Sequence, residues 1–452
     1  MSEPQREPID ESKATGPQRV VSVSPVGAPP RRGGIFDAFQ VRSFRFQWPA
    51  DGLTIWAFEM ETLVLGWYIL NATNSPALVG LIGTLRFGGT LFGPIYGALT
   101  DRFNRRRLLI VDRAVLSVIA LGFTFFALTG VLEPWHAFVF AFLTGIARNL
   151  DNVVRQALIA DVMPARSLSN ALALSRSVMD ISRISGALLA GSLLGALGVG
   201  EAYVGVVLLY AGSSLLSMGI VLQSQTTRSD GAGWLRNLRE GVTYMRHDEA
   251  ILGPLVLAFL VNLTLFPAVN GLMPVVAREI YDKGPNGLAV MQVAPGVGAL
   301  IGSVALAAYT QSVHPTRRMI VGIVLWHFSM LAFALMGWWL AALATLVVYG
   351  TTQSLAMISM STTLLHASPV ELRGRVMGVR SLAVYGLPMG LLISGVIAEW
   401  LGVRTALAIN SVVGLGGTAV AAIVWRGLWS ESGDPGRDVQ DANTAHESVT
   451  AD

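Results

Sequence analysis

Long apolar runs, separated at near-regular intervals by short polar stretches, dominate the chain. No charged residue interrupts the segments from Arg113 to Glu133, Glu249 to Arg278, Lys283 to Arg317 and Arg404 to Arg426. A helix needs about 20 predominantly apolar residues to cross the hydrocarbon core of a bilayer. Each of these runs meets or nearly meets that length. The stretch from Arg318 to Glu371 is long enough for two helices, with Gly337-Trp338-Trp339 predicted as the turn at an aromatic belt. The pattern places spans near residues 47–70, 78–100, 108–131, 135–160, 168–196, 202–223, 251–277, 286–310, 319–337, 340–365, 375–400 and 404–426. The expected fold class is an all-α membrane protein with about twelve transmembrane helices in two six-helix halves.

The polar segments organise that set. Residues 1–45 lack apolar periodicity and read as a disordered cytoplasmic tail without a signal peptide; residues 430–452 read the same way. The N-terminal half is expected over 46–223 and the C-terminal half over 251–429. Between them, 224–250 forms a cytoplasmic loop. In it Trp234, Leu235, Leu238, Val242 and Met245 recur at helical spacing opposite Arg236, Arg239, Glu240 and Arg246, an amphipathic helix suited to the membrane interface. Packing on a soluble domain is the alternative. Arginines crowd alternate connections (Arg102, Arg105, Arg106 and Arg107; Arg166; Arg317 and Arg318; Arg373 and Arg375), whereas the opposite ones hold only Arg278, Lys283 and Arg404. The positive-inside rule then puts both termini in the cytoplasm. Internal repetition agrees. Gly88, Gly89, Gly93 and Gly97 before an arginine loop are echoed by Gly296, Gly298 and Gly302 before Arg317-Arg318, and two related halves are a known transporter plan.

Composition sharpens the class. Of 452 residues, 52% are hydrophobic and 13% charged, against roughly 25% charged in soluble domains; mean hydropathy is +0.55. The absence of cysteine excludes disulfides and thiolate metal sites. The net charge of +3 is nearly all arginine, Lys13 and Lys283 being the only lysines. It maps onto loops, so it signals topology and not a nucleic-acid partner.

Charges at membrane depth are costly unless paired or wetted, which makes them functional candidates. Asp51, Glu59 and Glu61 fall in the first span and Arg86 in the second. Arg148, Asp151 and Arg155 (i, i+3, i+7) form one helical stripe in the fourth span; Arg176, Asp180 and Arg183 (i, i+4, i+7) form another in the fifth. Each triplet carries a surplus positive charge that Glu59 and Glu61 offset. Those two glutamates lie about 200° apart around a helix, so both cannot face one cavity. A carboxylate alternating between a desolvated setting and an arginine would take up and release a proton. Glu59 is the preferred carrier, then Glu61, then Asp51; a static salt-bridge network is the alternative. The C-terminal half is nearly bare of charge. Its candidate cavity residues are Asn262, Asn270, Gln292 and Gln353, in surroundings suited to amphiphilic ligands. His327 and His366 read as packing histidines, and no metal site is expected.

The strongest local pattern is Gly97-Ala98-Leu99-Thr100-Asp101-Arg102-Phe103-Asn104-Arg105-Arg106-Arg107. Here the sequence resembles the major facilitator superfamily, whose loop between helices two and three reads G-x-x-x-D-R-x-x-R-R. The resemblance runs from about Phe44 to Trp429. It best fits the bacterial branch of the enterobactin exporter and drug-efflux pumps, supported by Trp67-Tyr68, Ser75-Pro76-Ala77-Leu78-Val79-Gly80, Glu240-Gly241-Val242-Thr243-Tyr244 and Arg373-Gly374-Arg375-Val376. It implies the major facilitator fold and a conformational latch of Gly97, Asp101, Arg102, Arg105 and Arg106 holding the outward-open state. Gly97 would let a helix approach closely. Asp101 would meet the amino end of span eleven, where Ser368-Pro369-Val370-Glu371 has the form of a capping box. An arginine cluster that only binds anionic headgroups is the alternative. Ser185-Gly186-Ala187 to Gly195 occupies the place of the superfamily's antiporter motif, but with alanine where proline would stand.

The expected function is export of a drug, siderophore or secondary metabolite by proton antiport, with proton-coupled import of an organic solute or anion as the alternative. No zinc-protease, phosphate-loop or nucleophile-elbow motif occurs, so neither an enzyme nor an ATP-driven pump is expected. The predicted setting is the bacterial inner membrane, as a monomer with a small-molecule substrate, lipid around it, a proton gradient and no cofactor.

Overall fold

A computed structural model describes residues 36–221, 249–308, 314–368 and 373–425. The predicted amphipathic helix of the central loop, the capping-box residues after Ser368 and both distal tails lie outside them.

The first half comprises α1 (Arg42–Thr73), α2 (Pro76–Gly88), α3 (Gly93–Arg102), α4 (Arg105–Leu128), α5 (Pro134–Val162), α6 (Ala165–Leu197) and α7 (Val199–Ser217). The second comprises α8 (Glu249–Thr264), α9 (Met273–Glu279), α10 (Pro285–Ala308), α11 (Pro315–Leu335), α12 (Trp339–His366), α13 (Arg373–Arg380), α14 (Gly386–Leu401) and α15 (Val403–Val424). Eleven helical segments among the described residues are long and apolar enough to cross a membrane. A twelfth path is α2 and α3 joined by the 3-10 turn Gly89–Phe92. Spans seven and eleven are also interrupted, by the π-turn Ala268–Leu272 and the 3-10 turn Ser381–Tyr385.

The helix ends follow from local chemistry. Pro76, Pro134 and Pro315 stand in first turns, where a missing N–H costs nothing. The Ser75 hydroxyl caps α2 and the Asn104 side chain caps α4, each accepting from a backbone N–H of the first turn. At the amino end, folded structure begins ahead of the expected boundary at residue 46. Asp37–Gln40 forms a 3-10 turn, Ala38 and Phe44 are fully buried against the first half, and Asn170 accepts from the Ala38 N–H. Apolar contacts made only in the folded bundle order these residues, which lack periodicity of their own.

The expected internal repeat has a physical counterpart. Gly145 of α5 packs on the Arg86 carbonyl of α2 and Gly89 packs on the Gly145 carbonyl. In the other half Gly350 of α12 packs on the Pro295 carbonyl of α10, and Gly298 on the Val347 carbonyl. Small residues let the backbones meet in both places.

The halves touch mainly toward one face, where α1 ends at Asn74. Gly80 packs against Leu391 and Gly395, Gly191 against Pro285 and Ala289, and Gly66 against Pro274. Thr84 Oγ1 donates to the Pro388 carbonyl, and the Tyr385 hydroxyl to that of Thr90. Beyond that last bond, toward the face bearing Asp101, no hydrogen bond, ion pair or glycine contact joins the halves among the described residues. Among the described residues, the contacts between the halves are therefore concentrated at the Asn74 face, and the halves are not joined at the Asp101 face.

Candidate substrate cavity and charge network

Between the halves lies a cavity of about 280 Å³. Its second-half wall carries Asn262, Asn270, Gln292 and Gln353, all four residues predicted from the sequence, together with Phe266. Asn262 and Asn270 each donate from Nδ2 to their own helix, to the carbonyls of Ala258 and Phe266. Their amide oxygens are left as acceptors for a ligand. The first-half wall carries Phe58, Glu59, Thr62, Arg86, Phe87 and Arg183. A narrow extension of about 20 Å³, sharing Arg86, Asn270 and Gln292, runs on toward Gly66 and Pro274 at the closed face.

Glu59 is brought to this wall by α6, whose Gly186 packs on the Glu59 Cβ and the Trp56 backbone. Arg183, one turn earlier on α6, sets its Nε 3.4 Å from Glu59 Oε1, with its side chain 60% exposed. Arg86 is buried. It donates to the Phe58 carbonyl at 3.1 Å and lies 4.4 Å from the centre of the Phe58 ring, while Arg148 approaches the same ring at 4.8 Å. Glu61 points elsewhere, as the 200° offset predicts. It is buried and accepts from the Tyr210 hydroxyl at 3.1 Å.

A second cluster lies deeper toward the Asp101 face. Arg113 of α4 is wholly buried and ties three other helices together: it bonds Asp51 of α1 at 2.5 Å and Asp151 of α5 at 2.8 Å, and donates to Ser217 Oγ of α7 at 2.8 Å. Arg148 adds a 3.0 Å bond to Asp151. Asp51, predicted as a possible proton carrier, is thus half of an ion pair in this conformation. The sequence reading passed over Arg113 and the buried Asp112 beside it, although both fall inside the predicted third span. Their inclusion adds one charge of each sign, so no new surplus arises. The fourth-span stripe also divides. Arg148 stays with Asp151, whereas Arg155 turns to Asn152 Oδ1 and the Met179 sulfur. Arg176 and Asp180 pair at 3.3 Å.

The Asp101 motif keeps to its own half. Arg105 donates twice to Asp161 of α5, at 2.8 and 2.9 Å, and approaches Asp101 at 3.7 Å. Arg106 donates to the Met218 carbonyl, and Asp101 and Arg102 are exposed. A Cβ on Gly97 would meet nothing within 4 Å. The close helix approach expected there is therefore not made by any described residue in this conformation. Asp161 was not foreseen; it sits in the last turn of α5, one residue beyond the predicted end of the fourth span. His327 is packed as predicted, between Thr264 Oγ1 and the Ile323 carbonyl.

A helical bundle in two halves, shut at one face around a polar cavity at mid-depth, is the architecture of an alternating-access carrier. A family model described as the Major Facilitator Superfamily matches residues 52–391. Among curated proteins, the chain is similar to macrolide efflux protein A of Streptococcus pyogenes (22% identical over 58% of this chain and 67% of that one). It is also similar to the enterobactin exporter EntS of Salmonella typhi (23%, 75% and 81%). Among solved structures it resembles a bacterial homologue of the lysosomal transporter Spinster in an inward-facing, unoccupied conformation (TM-score 0.68, 14% identity, 90% of this chain and 100% of that one). The nucleoside transporter NupG is another (TM-score 0.67, 14%, 86% and 99%). The chain belongs to the major facilitator superfamily: it is a multi-pass membrane transporter.

Proposed function

We propose that this transporter exports small organic molecules, of the drug, siderophore or secondary-metabolite kind, in exchange for protons. The observation that carries the reading is the division of the cavity walls. One wall offers amide groups and the Phe266 ring, which hold an amphiphilic ligand without a fixed charge. The other offers Glu59 against an exposed arginine, Arg183, with the Phe58 and Phe87 rings beside them. A protonated Glu59 releases Arg183, and an ionised one recaptures it, so loading of the acid changes the wall that the ligand meets. The export direction is supported by the similarity to the macrolide and enterobactin exporters.

The Asp51–Arg113–Asp151–Arg148 network braces α1, α4 and α5 behind Glu59. Asp101, Arg102, Arg105 and Arg106 form the latch that closes when the Asn74 face opens. The protein works as a monomer in the bacterial inner membrane, with both termini and the Asp101 face in the cytoplasm. It needs the proton gradient and no cofactor.

Inside-out vesicles should show substrate-dependent proton movement that is abolished in the Glu59→Gln, Glu61→Gln double variant. Normal coupled transport by that variant would remove both acids as carriers. The second reading, import of an organic anion, is favoured by Arg86 and Arg183 on the cavity wall. Higher intracellular accumulation of a test compound on overexpression would select it; lower accumulation selects export.

A further inference from the structure

The turn between α1 and α2 leaves two helix ends side by side at the closed face. The last carbonyls of α1 form a negative end and the first N–H groups of α2 a positive one. Each is met by an opposite charge from the other half of the molecule. Arg278, in the last turn of α9, donates from Nη1 to the Leu70 carbonyl at 3.0 Å and to Asn71 Oδ1 at 3.2 Å. Glu399, in the last turn of α14, accepts at Oε2 from the Ala77 N–H at 3.1 Å and from the Ser75 hydroxyl at 2.7 Å. Ser75 is itself the cap of α2, accepting from the Leu78 N–H, so Glu399 extends a cap already in place.

We propose that Arg278 and Glu399 form a two-point clasp that holds the Asn74 face shut, and that its release accompanies opening of the cavity to that side. The geometry is specific to this conformation. All four bonds cross between the halves onto a single turn, so parting the halves there breaks them together. The glycine contacts of α2 with α14 begin on the same turn, at Pro76 and Ala77, and run deeper to Gly80; they carry no charge, so they set how closely the halves approach without favouring one partner orientation. Asp101 at the opposite end of the α2–α3 path is uncommitted across the halves while this clasp is closed. The inference holds for either direction of transport and for any coupling ion.

The test uses the absence of native cysteine. A single reporter, Val269→Cys, lies on the cavity wall and its narrow extension. A membrane-impermeant maleimide is applied separately to right-side-out and inside-out vesicles, so an inverted orientation exchanges the two preparations without obscuring the result. From the Asn74 face, labelling should be slow in the reporter protein. It should rise about 2- to 5-fold in Glu399→Gln or Arg278→Gln, the range expected for loss of such charge–helix-end contacts. Arg278→Lys, which keeps the charge, should stay near the parent rate. Glu201→Gln removes a carboxylate from the first turn of α7 at the same face and should change nothing. If Glu399→Gln fails to reach the membrane, Ser75→Ala removes the hydroxyl donor instead and should show a smaller rise. Unchanged labelling in Glu399→Gln and Arg278→Gln, or an equal rise in Glu201→Gln, would overturn the clasp.

Discussion

Glu59 and Arg183, 124 residues apart in the chain, meet 3.4 Å apart on the cavity wall. Glu61, two positions along, is committed to Tyr210 inside the first half. The neighbouring acids therefore have different surroundings. Glu59→Gln should abolish substrate-driven proton movement while leaving substrate binding within a few-fold of the parent. Glu61→Gln keeps an acceptor for the Tyr210 hydroxyl and should retain coupling. Proton flux in vesicles, measured for each single variant, checks the assignment; the reverse pattern would move the carrier to Glu61.

Arg113 compensates two buried carboxylates at once. Breaking a buried pair by removing one partner costs about 3–5 kcal/mol. Arg113→Ala should therefore lower thermal stability in detergent sharply, whereas the triple variant that also carries Asp51→Asn and Asp151→Asn should regain part of the loss. An additive outcome would mean that the three side chains do not act as one unit.

Asp101 pairs only within its own half in this conformation. If it latches the opposite one, Asp101→Asn should slow turnover, leave substrate affinity little changed, and favour the conformer parted at the Asp101 face. Distances between spin labels on α3 and α13 would report the shift. Loss of substrate binding with normal conformer populations would contradict the latch.

The matched glycines give a prediction about the repeat. A methyl group at Gly145 or Gly350 would run into the carbonyl of Arg86 or Pro295. Gly145→Ala and Gly350→Ala should each destabilise their half by about 1–3 kcal/mol, since overpacked backbone contacts relax poorly. Comparable drops in melting temperature for the two variants would show that both halves use the same close crossing.

On the other wall, Asn262→Ala and Gln353→Ala should raise KM several-fold with little effect on assembly, because each removes a polar group facing the cavity. Transport titrations with any compound found in an accumulation screen would read this directly.

Eleven long apolar helices, a second span that the structure breaks at Gly89–Phe92, and the four amide-bearing residues that line the cavity were legible in the sequence. The start of the first span and the end of the sixth were off by more than a turn. Hydrocarbon thickness dictates span length, and a lone polar residue in an apolar run has few places to go. The divergence of Glu59 and Glu61 followed from helical geometry alone. Pairing did not. Arg113 reads as the boundary of an uncharged run until α1 and α5 are packed around it, and Arg155 leaves its predicted stripe for Asn152 and Met179. Gly97 looks like a contact residue from its motif, but whether a helix lies against it depends on which face is parted. Hydropathy along one helix determines that the helix crosses and which of its residues are costly there. Which charges neutralise one another, and which face is shut, depend on contacts between helices far apart in the chain, and those exist only once the two halves have packed.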